Sequence, residues 1–207
     1  MSHTLNAPHP DQQARKLTLA DIADVRAYER ERVAFRSRVI ELKQRRRVAL
    51  GTLVTVLFEN RDTMRFQVQE MARAEQLVTD DAIQAEIDVY NRMIPEPGQL
   101  CLTMFIELVT DEQLREWLPR LVGIQHHVVL RLPDGQEVRA RTDEHHESQL
   151  TREAVTSAVH YLRFELSAAA VAAFGGPVVL AIDHPQYLEE IELLPATVAE
   201  LQRDLFA

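Results

Sequence analysis

The chain has 207 residues, 46% of them hydrophobic and 27% charged, with a formal net charge of −9. That length suits one domain with a sizeable core, and six glycines exclude a fibrous or low-complexity protein. The single cysteine, Cys101, excludes an internal disulfide, a cysteine zinc site and a self-contained iron–sulfur cluster.

Residues 1–16 are polar, carry Pro8 and Pro10, and read as a flexible tail without a secretory leader. Thr18 and Asp21 cap a short helix bearing Leu19, Ile22 and Val25. A longer helix is predicted over residues 28–46, with Tyr28, Phe35, Val39 and Leu42 on one stripe. Val33 and Ile40 fall on a different side, so this helix is expected to meet two neighbours, one of them a second subunit in a homodimer. Residues 48–58 (VALGTLVTVLF) read as one interior strand, apolar or threonine on both faces. A helix opened by Asn60 or Asp62 should reach Leu77, and Thr79 should cap another ending near Met93 before Pro95 and Pro97. These two are expected to form a hairpin.

The second half alternates strands with short helices. Strands are predicted over residues 100–108, 124–132, 136–141, 157–166 and 178–183, with helices over 111–121, 168–174 and 196–205. The expected architecture is α+β: residues 17–207 as a single domain, with a mixed sheet of about six strands and an N-terminal group of helices including the helical hairpin. With no apolar run long enough to span a bilayer, the chain is expected to be cytoplasmic.

Motifs for common chemistries are missing from the sequence. It has no Gly-rich phosphate loop, no Gly-x-Ser-x-Gly elbow and no His-Glu-x-x-His pair. What remains is a set of polar side chains on the helical hairpin. At 100° per residue Glu75 shares a face with Met64, Val68 and Met71, while Glu86 and Tyr90 border the face of Ile83 and Ile87. A carboxylate held against apolar neighbours has a raised pKa and can move protons. Glu75, Glu86 and Tyr90 are thus the catalytic candidates, and Glu70, Glu75, Glu86 and His184 the metal candidates. The plainer reading lets Glu75 reach water or pair with Arg73.

Among the histidines, Glu144-His145-His146-Glu147 packs four potential ligands into a segment that reads as a solvated loop. His126 and His160 alternate with apolar residues, as hydrogen-bonded core histidines would, whereas His184 closes a strand where sites often form. Charge is also uneven. Residues 26–47 hold nine basic and three acidic side chains, a local +6 that leaves −15 elsewhere. Arg36, Lys43, Arg45, Arg46 and Arg47 are the partner-binding candidates on this helix. A solvated face with internal pairing is the ordinary alternative, and nucleic acid is a weaker one because no recognisable nucleic-acid module accompanies the charge.

Tyr28-Glu29-Arg30, residues 43–51 (KQRRRVALG), Leu57-Phe58-Glu59-Asn60-Arg61, residues 64–71 (MRFQVQEM), Tyr161-Leu162-Arg163-Phe164 and Asp183-His184-Pro185 together resemble the bacterial family known as domain of unknown function 3501. The resemblance brings no activity, cofactor or catalytic residue. It implies gene company with a rubrerythrin-like protein and an iron–sulfur oxidoreductase subunit, and so a link to redox metabolism. Two functions are therefore expected in competition: an accessory protein that docks to such partners, and a metal-dependent or acid–base enzyme using the hairpin carboxylates.

Overall fold

The fold is a computed structural model that describes residues 15–142 and 155–206. Among the described residues, six α-helices surround nine strands in two antiparallel sheets. α1 spans Val25–Arg46, α2 Arg61–Ala74, α3 Asp80–Tyr90, α4 Asp111–Arg120, α5 Ala168–Ala173 and α6 Pro195–Phe206. The five-stranded sheet has the order β1 (Arg47–Leu50), β2 (Val54–Glu59), β3 (Gln99–Ile106), β7 (Val159–Glu165), β6 (Arg141–Thr142). The four-stranded sheet runs β5 (Glu137–Arg139), β4 (Val128–Arg131), β8 (Val179–His184), β9 (Tyr187–Glu192).

The α+β class stands, but the single mixed sheet does not: every strand pairing is antiparallel. Three local causes account for the extra strands. The run over 48–58 is two strands because Gly51, at φ +65°, reverses the chain between β1 and β2. Its missing Cβ matters twice, since one built there would lie 2.6 Å from the Tyr187 hydroxyl. That hydroxyl donates to Leu50 O at 2.5 Å and accepts from Leu53 N at 3.1 Å, tying β9 to the β1–β2 turn. Next, the segment after Gly135 bends at Ala140, so β5 joins one sheet and β6 the other. Finally β9, Tyr-Leu-Glu-Glu-Ile-Glu, is a solvent-facing edge strand whose charged residues hide it from a pattern search.

The two sheets share one apolar core. Val56, Phe58, Leu102, Met104, Leu162 and Phe164 meet Val128, Leu130, Leu180 and Ile182, with Val198 and Leu201 of α6 joining the same cluster. The other face of the five-stranded sheet is half polar: Glu59, Cys101 and Arg163 are cross-strand neighbours, as are Thr103 and Tyr161. Met64, Val68, Ile87 and Ile94 cover it, in a cluster with Cys101. α2 packs against both α1 and α3, and Tyr28, Phe35 and Val39 of α1 form a small separate cluster with Phe66. No helix among the described residues is long and apolar enough to cross a membrane.

Candidate functional site

α2 is started by Asn60, whose side chain accepts from Thr63 N while Thr63 accepts from Asn60 N. It stops at Glu75, followed by Gln76 in the left-handed region at φ +55°. Leu77 N then donates back to Ala72 O, a six-residue closure that completes the cap. This leaves Glu75 exposed at the end of α2, which packs against α3. Glu86 of α3 is half-buried, and its carboxyl is pushed up first by burial and then by the charge of Glu75. Tyr90 is hydrogen-bonded to the Gln67 amide, and its phenol is raised by burial and by Glu86 and Glu75. The Tyr161 hydroxyl is raised by burial and by Tyr90 and Glu59. Glu75, Glu86 and Tyr90 thus lie within electrostatic reach of one another, and the polar line continues to the sheet.

The line ends on Glu59, which is buried. Its Oε1 accepts from the Thr103 hydroxyl at 2.7 Å, and its Oε2 has no hydrogen-bond partner among the described residues. The neighbouring Cys101 is buried too, and that burial pushes its thiol up to about 12, which leaves it protonated and unreactive at neutral pH.

Glu70 does not belong to this polar line. Arg32 grips it through two bonds of 2.8 Å and Tyr28 donates to it at 2.5 Å. These donors hold its carboxyl at about 2. With the Arg32 cation and the Tyr28 hydroxyl already on it, this carboxylate is a poor metal ligand.

His184 is likewise spoken for. Its Nδ1 accepts from Gln186 N at 3.2 Å, so the proton sits on Nε2, which faces Val122 O at 3.2 Å. Both nitrogens are engaged, and the residue lies in the four-stranded sheet rather than beside the hairpin. The four metal candidates are not brought together, and among the described residues no three His, Cys, Asp or Glu side chains converge. The Glu144–Glu147 cluster lies outside the described residues. His160 is buried and bonded to Thr156 and Ser157 O. His126 corrects the expectation of a core histidine: it is exposed, because residues 124–126 form a 3-10 turn and the strand begins only at Val128.

One constellation escaped the sequence. His127 Nδ1 sits 2.8 Å from Asp183 Oδ1, and Arg139 grips the same carboxylate at 2.9 and 2.6 Å. These donors hold the Asp183 carboxyl far below the usual carboxylate range, Arg139 contributing most. The His127 ring lies edge-on to His184 at 5.0 Å. The signal would have been the pairing of β4 with β8, which places His127 opposite Asp183, and no single-strand pattern reveals it.

The basic helix is largely consumed inside the molecule. Arg46 is 1% exposed and therefore no docking residue: it donates to Phe58 O and Glu59 O and pairs with Asp204. Arg45 pairs with Glu200 at 2.8 Å, and Arg47 reaches Glu107 and lies over Phe105. Lys43 stands over the Phe66 ring at 5.4 Å. Arg36 remains exposed and makes no ion pair among the described residues. Beside it the apolar side chains Val33 and Ile40 are 77% and 41% exposed. Val25, Glu29, Val33, Arg36 and Ile40 fall on one narrow arc of α1 at 100° per residue. At the N-terminal end of that arc Val25, Glu29, Arg73 and Val78 line a surface concavity of about 550 Å³.

The molecule is thus a two-sheet antiparallel α+β protein with a helical layer, a polar line within that layer and an apolar seam outside it. Over residues 16–205 it matches the model of the family described as protein of unknown function, DUF3501, and it belongs to that family. It is similar to a protein of unknown function from Burkholderia pseudomallei K96243, whose crystal structure was determined at 1.90 Å. The two are 38% identical over 92% of this chain and 99% of that one, with a TM-score of 0.85. No curated protein matches the chain.

Proposed function

We propose that the protein is an accessory protein that acts by docking, through the outer face of α1, to a partner presenting an apolar patch rimmed by acids. The observation that carries this reading is the seam Val25–Val33–Ile40, continued by Val78, which stays exposed on the outer face of α1. Apolar side chains aligned along one helix and running into a concavity are a docking pattern, unlike apolar residues scattered singly. Arg26, Arg30 and Arg36 flank the seam without a salt bridge among the described residues, so the rim favours an acidic partner. The implied redox company makes a rubrerythrin-like protein and an iron–sulfur oxidoreductase subunit the first partners to try. Immobilised protein should capture one of them at low salt and lose part of it at moderate salt. Capture of neither at any salt refutes the proposed partners, and self-association through the same face assigns it to a homodimer instead.

A second reading is favoured by the raised Glu86 carboxyl: an acid–base site in which Glu86, its carboxyl raised by burial and by the Glu75 charge, exchanges a proton, with Tyr90 held by Gln67. A carbon-detected NMR titration tests its premise. Glu86 should titrate above the ordinary carboxylate range and move down in Glu75→Gln. An ordinary Glu86 removes the reading.

A further inference from the structure

A second concavity, of about 290 Å³, opens between the segment before α1, the start of α2, Ile94 and the end of α6. Arg15 and Arg61 face it, with Asn60, Asp62 and Asp204. Two guanidinium donors here, Nη2 of Arg15 and Nε of Arg61, are shielded from solvent and have no hydrogen-bond partner among the described residues. Buried donors nearly always find an acceptor, and a charged one left without is unfavourable. The nearby acids do not serve: Asp21 takes Arg61 Nη2 at 2.5 Å, Lys16 takes Glu96 at 2.8 Å, and Arg46 takes Asp204. Asp204 attracts Arg15 across the cleft, but the hydrogen bond it makes goes to Arg46. Two cationic donors in one cleft, both lacking an acceptor, describe half of an oxyanion clamp.

We infer that this cleft binds a small ligand through a carboxylate or phosphate group held between Arg15 and Arg61. The positive end of α2 adds to the same field, though the guanidinium donors carry the argument. Asp62, exposed on the first turn of α2, sets an upper limit on ligand charge. A monoanion or a zwitterion fits better than a polyphosphate. The volume is at the small end of ligand sites, which points to a compact metabolite. The cleft shares no lining residue with the concavity beside the α1 seam.

Calorimetric titration of the full chain with inorganic phosphate and, separately, with propionate, at constant ionic strength, tests the inference. At least one probe should bind saturably and one-to-one, and the preferred probe tells phosphate from carboxylate ligands. Arg15→Gln and Arg61→Gln should each weaken that binding about tenfold or more, whereas Arg115→Gln on the exposed face of α4 should not. Arg15 makes no ion pair within 4.0 Å among the described residues, so its variant decides the matter if loss of the Asp21 pair unfolds Arg61→Gln. Saturable binding of neither probe, or binding that Arg15→Gln leaves unchanged, overturns the site.

Discussion

Glu70 fastens α2 to α1 by accepting from Tyr28 and from both ends of the Arg32 fork. Since these donors depress its carboxyl from the ordinary 4.5 to about 2, the folded state binds its proton more weakly than the unfolded chain. The resulting stabilisation is complete above pH 4.5 and is lost as pH falls through about 2. Glu70→Gln should therefore cost about 2 kcal/mol at neutral pH and should flatten the loss of stability between pH 4.5 and 2. Urea denaturation at stepped pH measures both. At this scale the sequence disclosed residue types well and partners poorly. Helical periodicity indicated that Glu86 and Tyr90 lie close together, but it set Glu75 against apolar neighbours, whereas Glu75 is the exposed C-cap of α2. Glu70 and His184 were not legible, because their partners come from α1 and from a backbone carbonyl that no periodicity reveals. Arg46 looked like surface charge for the same reason, since its acids stand more than 150 positions away on α6.

Turns and caps set the elements. Gly51 reverses the chain at positive φ and leaves room for the Tyr187 hydroxyl, which is pinned by two backbone groups and cannot retreat. Gly123 also has positive φ, at 88°, but a Cβ there meets nothing within 4 Å. Gly51→Ala should accordingly destabilise by about 2 to 4 kcal/mol and Gly123→Ala by about 1, a difference read from paired denaturation curves. Gln76 is the converse case, a non-glycine residue at φ +55° closing α2. Gln76→Gly should stabilise by about 1 kcal/mol, with a higher thermal midpoint as the readout. The same pair of positions explains what the sequence concealed. A glycine within an apolar run reads as part of a strand until the partner of its missing side chain is known, and β9 is masked by four glutamate and leucine side chains that face solvent on an edge.

At the scale of the whole molecule, the local +6 of residues 26–47 is not a free electrostatic patch. Arg32, Arg45, Arg46 and Arg47 are spent on Glu70, Glu200, Asp204 and Glu107, binding α1 and the start of β1 to three other parts of the chain. What α1 leaves outside includes the apolar seam of Val25, Val33 and Ile40 among exposed charged side chains, and this is the face the docking account rests on. Exposed positions contribute little to stability, so charging the seam should separate binding from folding. The most direct measurement compares partner capture by the unaltered protein and by Val33→Asp/Ile40→Asp, with denaturation midpoints taken on the same samples. The account predicts loss of the captured partner in the double variant at an unchanged midpoint. Undiminished capture by a double variant that is fully folded would contradict it.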